Sequence, residues 1–252
     1  MKKHIFFCFF FATTLLSAQE VISNLISNPF LLKSKFASNS NKSLISLPFF
    51  DDFSYDAPIV NYNLWEQSSV FVNRNYPINP PTIGVATFDG LNEFGFARDY
   101  NQPNIADPSD TLSSKEIDLS GLTSVYLMFY YQGKGMGDAP QIQDKLVLEF
   151  FNNTLGWEQI WSSSDTIFQE FTKVVRVIDE SRFLHNAFQF RFRNYATISG
   201  NFDHWHLDYV KIDELLSATD TSELNDVSFV YSSPSFLTRY SAMPWIHFKD
   251  NI

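Results

Sequence analysis

The sequence predicts an all-β protein, built as a two-sheet antiparallel β-sandwich. Three observations predict it. Short runs alternate apolar and polar residues with period two; the cleanest is Phe188-Gln189-Phe190-Arg191-Phe192-Arg193, which turns one face to a core and the other to water. Turn signals separate these runs at fairly regular spacing, as at Asp89-Gly90 and Asn152-Asn153-Thr154, the pattern of a sandwich. The chain also carries 27 Phe, strand-favouring side chains large enough to fill the space between two sheets.

Met1-Lys2-Lys3-His4 is a positively charged start, Ile5 to Leu16 is apolar, and Ser17-Ala18 precede Gln19. That order is a secretory signal peptide over residues 1–18, too short in its apolar part to span a bilayer. The single cysteine, Cys8, lies inside it, so the exported chain has no thiol and relies on packing rather than disulfides. Residues 19–47 are Ser- and Asn-rich and read as a poorly ordered leader, with a short helix near Val21 to Ile26.

Order is expected from Leu47-Pro48-Phe49-Phe50-Asp51-Asp52-Phe53 onward. A strand is expected from Trp65 through Val70-Phe71-Val72. The prolines between Tyr76 and Pro81 demand a loop, and Ile83 to Gly90 reads as a strand ending in an Asp-Gly turn. Asp99 to Ser114 is polar, with two prolines, and is expected as a long surface connection. Val125, Leu127 and Phe129 face one way and Tyr126, Met128 and Tyr130 the other, a strand apolar on both faces in the middle of the sandwich. Strands follow at Leu146 to Phe151, Trp157 to Trp161, Phe171 to Ile178 and Ala187 to Tyr195. Asn201 to Glu214 closes the domain, which spans 48–216. Residues 217–252 are expected as a linker and the start of a truncated second domain, or as a tail.

Net charge is −10, which argues against nucleic-acid or anionic-membrane partners. No G-x-S-x-G, H-E-x-x-H or P-loop occurs.

The order of Phe50-Asp51-Asp52-Phe53, Trp65, the Gly-rich turn after Tyr126, Leu146-Val147-Leu148, Trp157, Trp161, Phe188 to Phe192 and Phe202-Asp203-His204-Trp205-His206-Leu207-Asp208-Tyr209-Val210-Lys211-Ile212 resembles the MAM-like and concanavalin A-like jelly rolls of secreted Bacteroidetes proteins. The chain lacks the disulfide cysteines of the animal MAM domain. The resemblance implies a jelly roll that mediates adhesion or binds carbohydrate, exported in many such proteins by type IX secretion. It also implies a structural calcium between the opening and closing strands, at the places of Asp51, Asp52 and Asp208; calcium needs about six to eight oxygen ligands. Asp110-Thr111-Leu112 and Asp165-Thr166-Ile167 resemble the O-glycosylation sequence of those bacteria.

Other constellations compete. His204, His206 and Asp208 sit at i, i+2, i+4 and share one strand face, the pattern of a transition-metal triad or of a plain solvent-exposed face. Tyr130, Tyr131, Trp157 and Trp161 are candidates for stacking on sugar rings. A glycosidase needs two carboxylates on two sides of a cleft; Glu149 and Glu158 are the candidates, with exposed strand glutamates as the plain alternative. The expectation is a non-catalytic extracellular binding or adhesion module with a glycan or cell-surface protein as partner. The alternatives are a spacer without ligand in a type IX-secreted protein and a carbohydrate-active enzyme.

Overall fold

The computed structural model describes residues 27–28, 31, 44–56, 58–103, 105–163, 170–214, 244–245 and 249. Its eleven elements are all strands: β1 (Phe49–Asp51), β2 (Trp65–Ser68), β3 (Phe71–Asn73), β4 (Val85–Phe88), β5 (Asp107–Ser114), β6 (Val125–Gly133), β7 (Lys145–Asn152), β8 (Gly156–Ser162), β9 (Thr172–Ile178), β10 (Phe190–Ala196) and β11 (Trp205–Asp213). One sheet runs β3-β4-β11-β6-β9 with β1 also on β11; the other runs β2-β5-β10-β7-β8. Every strand pairing is antiparallel. The two-sheet sandwich therefore stands as the sequence predicts it.

The alternating runs explain the core. Phe190 and Phe192 of β10, Leu148 and Phe150 of β7, and Leu127 and Phe129 of β6 are all buried in one cluster between the sheets. Rings meet edge-on across the gap, as Phe129 does with Phe192 at 4.9 Å between centroids, the geometry that ring quadrupoles favour. β11 sits centrally in its sheet, paired to β1, β4 and β6. Its Trp205, Leu207, Val210 and Ile212 are fully buried.

Three expectations change. The stretch from Trp65 to Val72 is two strands in opposite sheets, β2 and β3, linked by Ser69 and Val70. The polar stretch before Ser114 is not wholly surface connection, because Asp107–Ser114 forms β5, paired to β2 and β10. Its Asp110, Leu112 and Ser114 are fully buried, so a strand that is mostly polar hides in a sandwich by hydrogen-bonding its side chains. Thr111, in the first of the two glycosylation-like triplets, lies inside this strand with its N–H and C=O both bonded to Ser69. Finally, parts of the leader are tied down. Asn28 N–H donates to Gly95 O at 2.9 Å, Leu31 is buried, and Ile45 bridges to Ile117. The signal peptide, the short helix, nearly all of 217–252 and the Asp165-Thr166-Ile167 triplet lie outside the described residues.

Candidate ligand face and its buried counterpart

The two outer faces of the sandwich differ in what their side chains do. On β10, Phe190 and Phe192 point inward, so Arg191 and Arg193 point outward. On β7, Leu148 and Phe150 point inward, so Glu149 and Phe151 point outward. Register places Arg191 opposite Glu149 and Phe151 opposite Trp157 of β8, and cross-strand partners share a face. The outcome is a polar aromatic surface on the five-stranded sheet. Arg191 Nε donates to Glu149 Oε2 at 2.5 Å, and Arg193 lies 3.4 Å from that same oxygen. The Arg191 guanidinium lies over the Trp157 ring, 4.2 Å from its centroid, a cation–π contact. Phe151 braces the indole edge-on at 5.3 Å. Gln189 Nε2 donates to Glu66 Oε2 at 2.9 Å and to Ser114 O at 2.8 Å. Trp157, Arg191 and Arg193 are only half-buried.

On the outer face of the six-stranded sheet the Pro-rich loop after β3 covers the region of His204, His206 and Asp208, while Phe50 and Val177 of the same sheet stay exposed. Gln132 of β6 binds both backbone groups of Ile78, accepting from its N–H at 3.0 Å and donating to its C=O at 2.9 Å. Tyr76 stacks on His204 at 5.2 Å, with ring planes 12° apart. Thr82 N–H donates to Asp208 Oδ2 at 2.9 Å.

His204, His206 and Asp208 share a face, as their spacing predicts, but the face is buried, not open to solvent. Lys134 O lies 3.1 Å from His206 Nε2; a carbonyl only accepts, so Nε2 carries the proton. His206 Nδ1 then accepts from Thr87 Oγ1 at 2.9 Å. His204 Nδ1 accepts from Asp138 N–H at 2.9 Å. Burial pushes His204 down to about 4 and His206 down to about 3, so both rings are neutral in the fold. They hold loops, and among the described residues no group of three His, Cys, Asp or Glu side chains is arranged to hold a metal ion.

The expected calcium ligands are separated by the sheet itself. Asp51 pairs with Val210 and points inward, accepting from Trp65 Nε1 at 2.7 Å and Phe53 N–H at 2.9 Å. Asp208 points to the opposite, outer face. A register shift follows it, and Tyr209 there takes a positive φ of 51°. Asp52 accepts from Ser54 N–H and Oγ. The residues present therefore do not form a calcium cage: the two buried carboxylates face opposite ways and spend their oxygens on protein donors. Burial pushes Asp51 up to about 6 and Asp208 up to about 8, against the pull of their donors.

Of the four aromatic candidates, the structure places only Trp157 on the polar face. Tyr131 is buried in the core, and Trp161, partly buried, packs inward on it and on Phe129, at 4.9 and 5.1 Å. Tyr130 lies on the opposite sheet's outer face, 6.3 Å from Tyr209, which in turn contacts Phe50 at 4.9 Å.

Glu149 and Glu158 do not flank one cleft. Glu149 is outward, while Glu158 pairs with inward-facing Phe150 and bonds Asn152 and Arg182. The polar groups of this face that the candidate list left out are Arg191 and Arg193. Their signal was present in the Phe-Gln-Phe-Arg-Phe-Arg alternation, which sets both on one outer face.

No family model matches the chain, and no curated protein does. Solved structures are similar in shape. A xylan-binding domain from Paenibacillus barcinonensis has 9% identity and a TM-score of 0.37, covering 68% of this chain and 95% of that one. A family 16 carbohydrate-binding module has 11% identity and a TM-score of 0.36, covering 62% and 99%. The K1 cleaved adhesin domain of Lys-gingipain from Porphyromonas gingivalis has 12% identity and a TM-score of 0.40, covering 66% and 97%. Likenesses of this size carry no argument about a ligand.

Proposed function

We propose that the chain is a non-catalytic extracellular binding module, exported by its N-terminal signal, whose five-stranded sheet takes a glycan on its outer face. One observation carries the reading: a half-buried Trp157 and a paired Arg191–Glu149 share that face. A sugar ring offers an apolar C–H face and a rim of hydroxyls. An indole supports the first, and fixed guanidinium, carboxylate and amide groups bond the second. Arg191 is held from two sides, by Glu149 and by the indole, so little side-chain freedom remains to be lost on binding. Gln189 and Ser113 lie on the same surface.

Affinity electrophoresis of the protein in gels cast with a panel of plant and algal polysaccharides tests the reading. At least one polymer is expected to retard the protein, and Trp157→Ala is expected to abolish the retardation with the fold intact by circular dichroism. Retardation by none would favour a spacer without ligand, and retardation untouched by Trp157→Ala would overturn the assignment of the site to this face.

A further inference from the structure

We infer that the glycan carries an anionic group, a carboxylate or a sulfate, on the sugar that lies over Arg193; the inference rests on the glycan-binding reading of the same face. The charges on this face do not cancel. Arg191, Arg193 and Lys145 project from the two central strands, β10 and β7, and Glu149 is the carboxylate among them. Glu66 lies at the β2 edge, on Gln189. The chain as a whole has net charge −10, so a cationic centre on one face is a local feature, not a reflection of composition.

The single carboxylate is also unevenly shared. Both arginines reach the same atom, Glu149 Oε2, but Arg191 Nε holds it at 2.5 Å while Arg193 sits at 3.4 Å. Arg191 is further occupied by the Trp157 ring. Among the described residues Arg193 makes no second ion pair, and its side chain is only 20% exposed. A guanidinium offers five donors in a planar fork. One that is largely removed from water and held by a single, longer ion pair is matched by a planar or tetrahedral oxyanion that takes two parallel bonds. A neutral sugar hydroxyl accepts from the same N–H groups but leaves the excess charge uncompensated. Thr111, opposite Arg193 in β5, supplies a neutral hydroxyl neighbour rather than a competing carboxylate.

The test compares three polymers in affinity gels at low salt: polygalacturonate, a sulfated galactan and an unsubstituted neutral galactan. The expected result is at least tenfold tighter retention by one or both acidic polymers, lost in Arg193→Gln and weakened as salt is raised. Preference for polygalacturonate alone identifies a carboxylate, and preference for the sulfated galactan alone identifies a sulfate. Arg193→Lys separates charge from fork: it is expected to keep part of the preference while Arg193→Gln keeps none. Equal or tighter retention by the neutral polymer overturns the inference and leaves glycan binding standing. So does an acidic preference that survives Arg193→Gln. Retention by none of the three removes the inference, and the wider panel then decides whether glycan binding falls with it.

Discussion

Thr82 and Asp208 lie 126 positions apart and meet twice: Thr82 N–H donates to Asp208 Oδ2 at 2.9 Å, and Thr82 Oγ1 lies 2.9 Å from Asp208 Oδ1. The same Thr82 hydroxyl lies 2.8 Å from Asp52 O. A hydroxyl has one proton to give. If Thr82 donates to the Asp52 carbonyl, which can only accept, the carboxyl must supply the proton of the Thr82–Asp208 contact. A protonated Asp208 agrees with the upward push of its burial. Thr82→Val removes the hydroxyl and is expected to destabilise the fold by about 1–3 kcal/mol, read as a lower midpoint in urea.

The same proton makes stability depend on pH. Asp208 is pushed up to about 8, Asp144 to about 7, and Asp51 and Asp110 to about 6. In the unfolded chain such groups release their protons near pH 4. The folded state thus holds protons the unfolded chain has lost, so this contribution is complete below about pH 4 and is lost as pH rises through about 6 to 8. His204 and His206 act the other way. Their folded values are depressed, so their contribution is present above about pH 6.5 and is lost on acidification. Between pH 6 and 8 the Asp208 contribution falls throughout, joined by that of Asp144 up to about pH 7. Thermal melts are expected to show a lower midpoint at pH 8 than at pH 6, and Asp208→Asn is expected to shrink that difference. An unchanged difference would mean that Asp208 is ionised throughout.

Gly135 and Gly137 let the β6–β7 turn lie against the two histidines. A Cβ at Gly135 would stand 2.3 Å from Tyr76 O and 2.5 Å from His206 Nε2, at a φ of +56°. A Cβ at Gly137 would stand 2.4 Å from the His204 ring. Alanine at either is expected to cost about 3 kcal/mol, since a buried ring must give way at both and the Tyr76 backbone as well at Gly135. Chemical denaturation measures it, and a loss below 1 kcal/mol would show that the loop relaxes.

Trp157 and Trp161 lie four residues apart on β8 and are expected to differ in phenotype. Trp161→Ala empties a site against Phe129 and Tyr131 and should lower stability by about 3 kcal/mol while leaving any glycan retention unchanged. Trp157→Ala should do the reverse. Paired melting and affinity-gel measurements separate the two, and matching phenotypes would refute the assignment of inner and outer faces.

Calcium provides a further check on those faces. With Asp51 and Asp208 on opposite sides of the sheet, EDTA is expected to leave the thermal midpoint within about 1 °C of its value in added calcium, since stabilisation by a ligand requires that the native state bind it. A larger fall would mean a cation site built from other groups.

Legibility in the sequence followed periodicity. The runs at Val125 to Tyr131, Leu146 to Phe151 and Phe188 to Arg193 announced their strands, their inner faces and the outward arginines, because a period of two is imposed by the backbone of any strand. β5 was hidden because Asp110, Ser113 and Ser114 are polar yet buried, their side chains satisfied by partners such as Arg98 at 3.0 Å and the Phe190 N–H at 3.0 Å. Pattern reading assigns such a stretch to the surface.

By itself, then, the sequence determined the class of fold, the antiparallel layers and the alternation that sets Arg191 and Arg193 outward. Only the tertiary structure decided which part of an outer face a loop covers. A loop has no period, so nothing local says that Tyr76, Ile78 and Thr82 will bond side chains more than fifty residues away and bury His204, His206 and Asp208. Nor does local pattern show that the chain's backbone twist at Tyr209 lies where the outward Asp208 meets a strand segment whose partner Asp51 points inward. Those outcomes depend on long-range pairing, where burial and hydrogen bonding are settled between segments rather than within them.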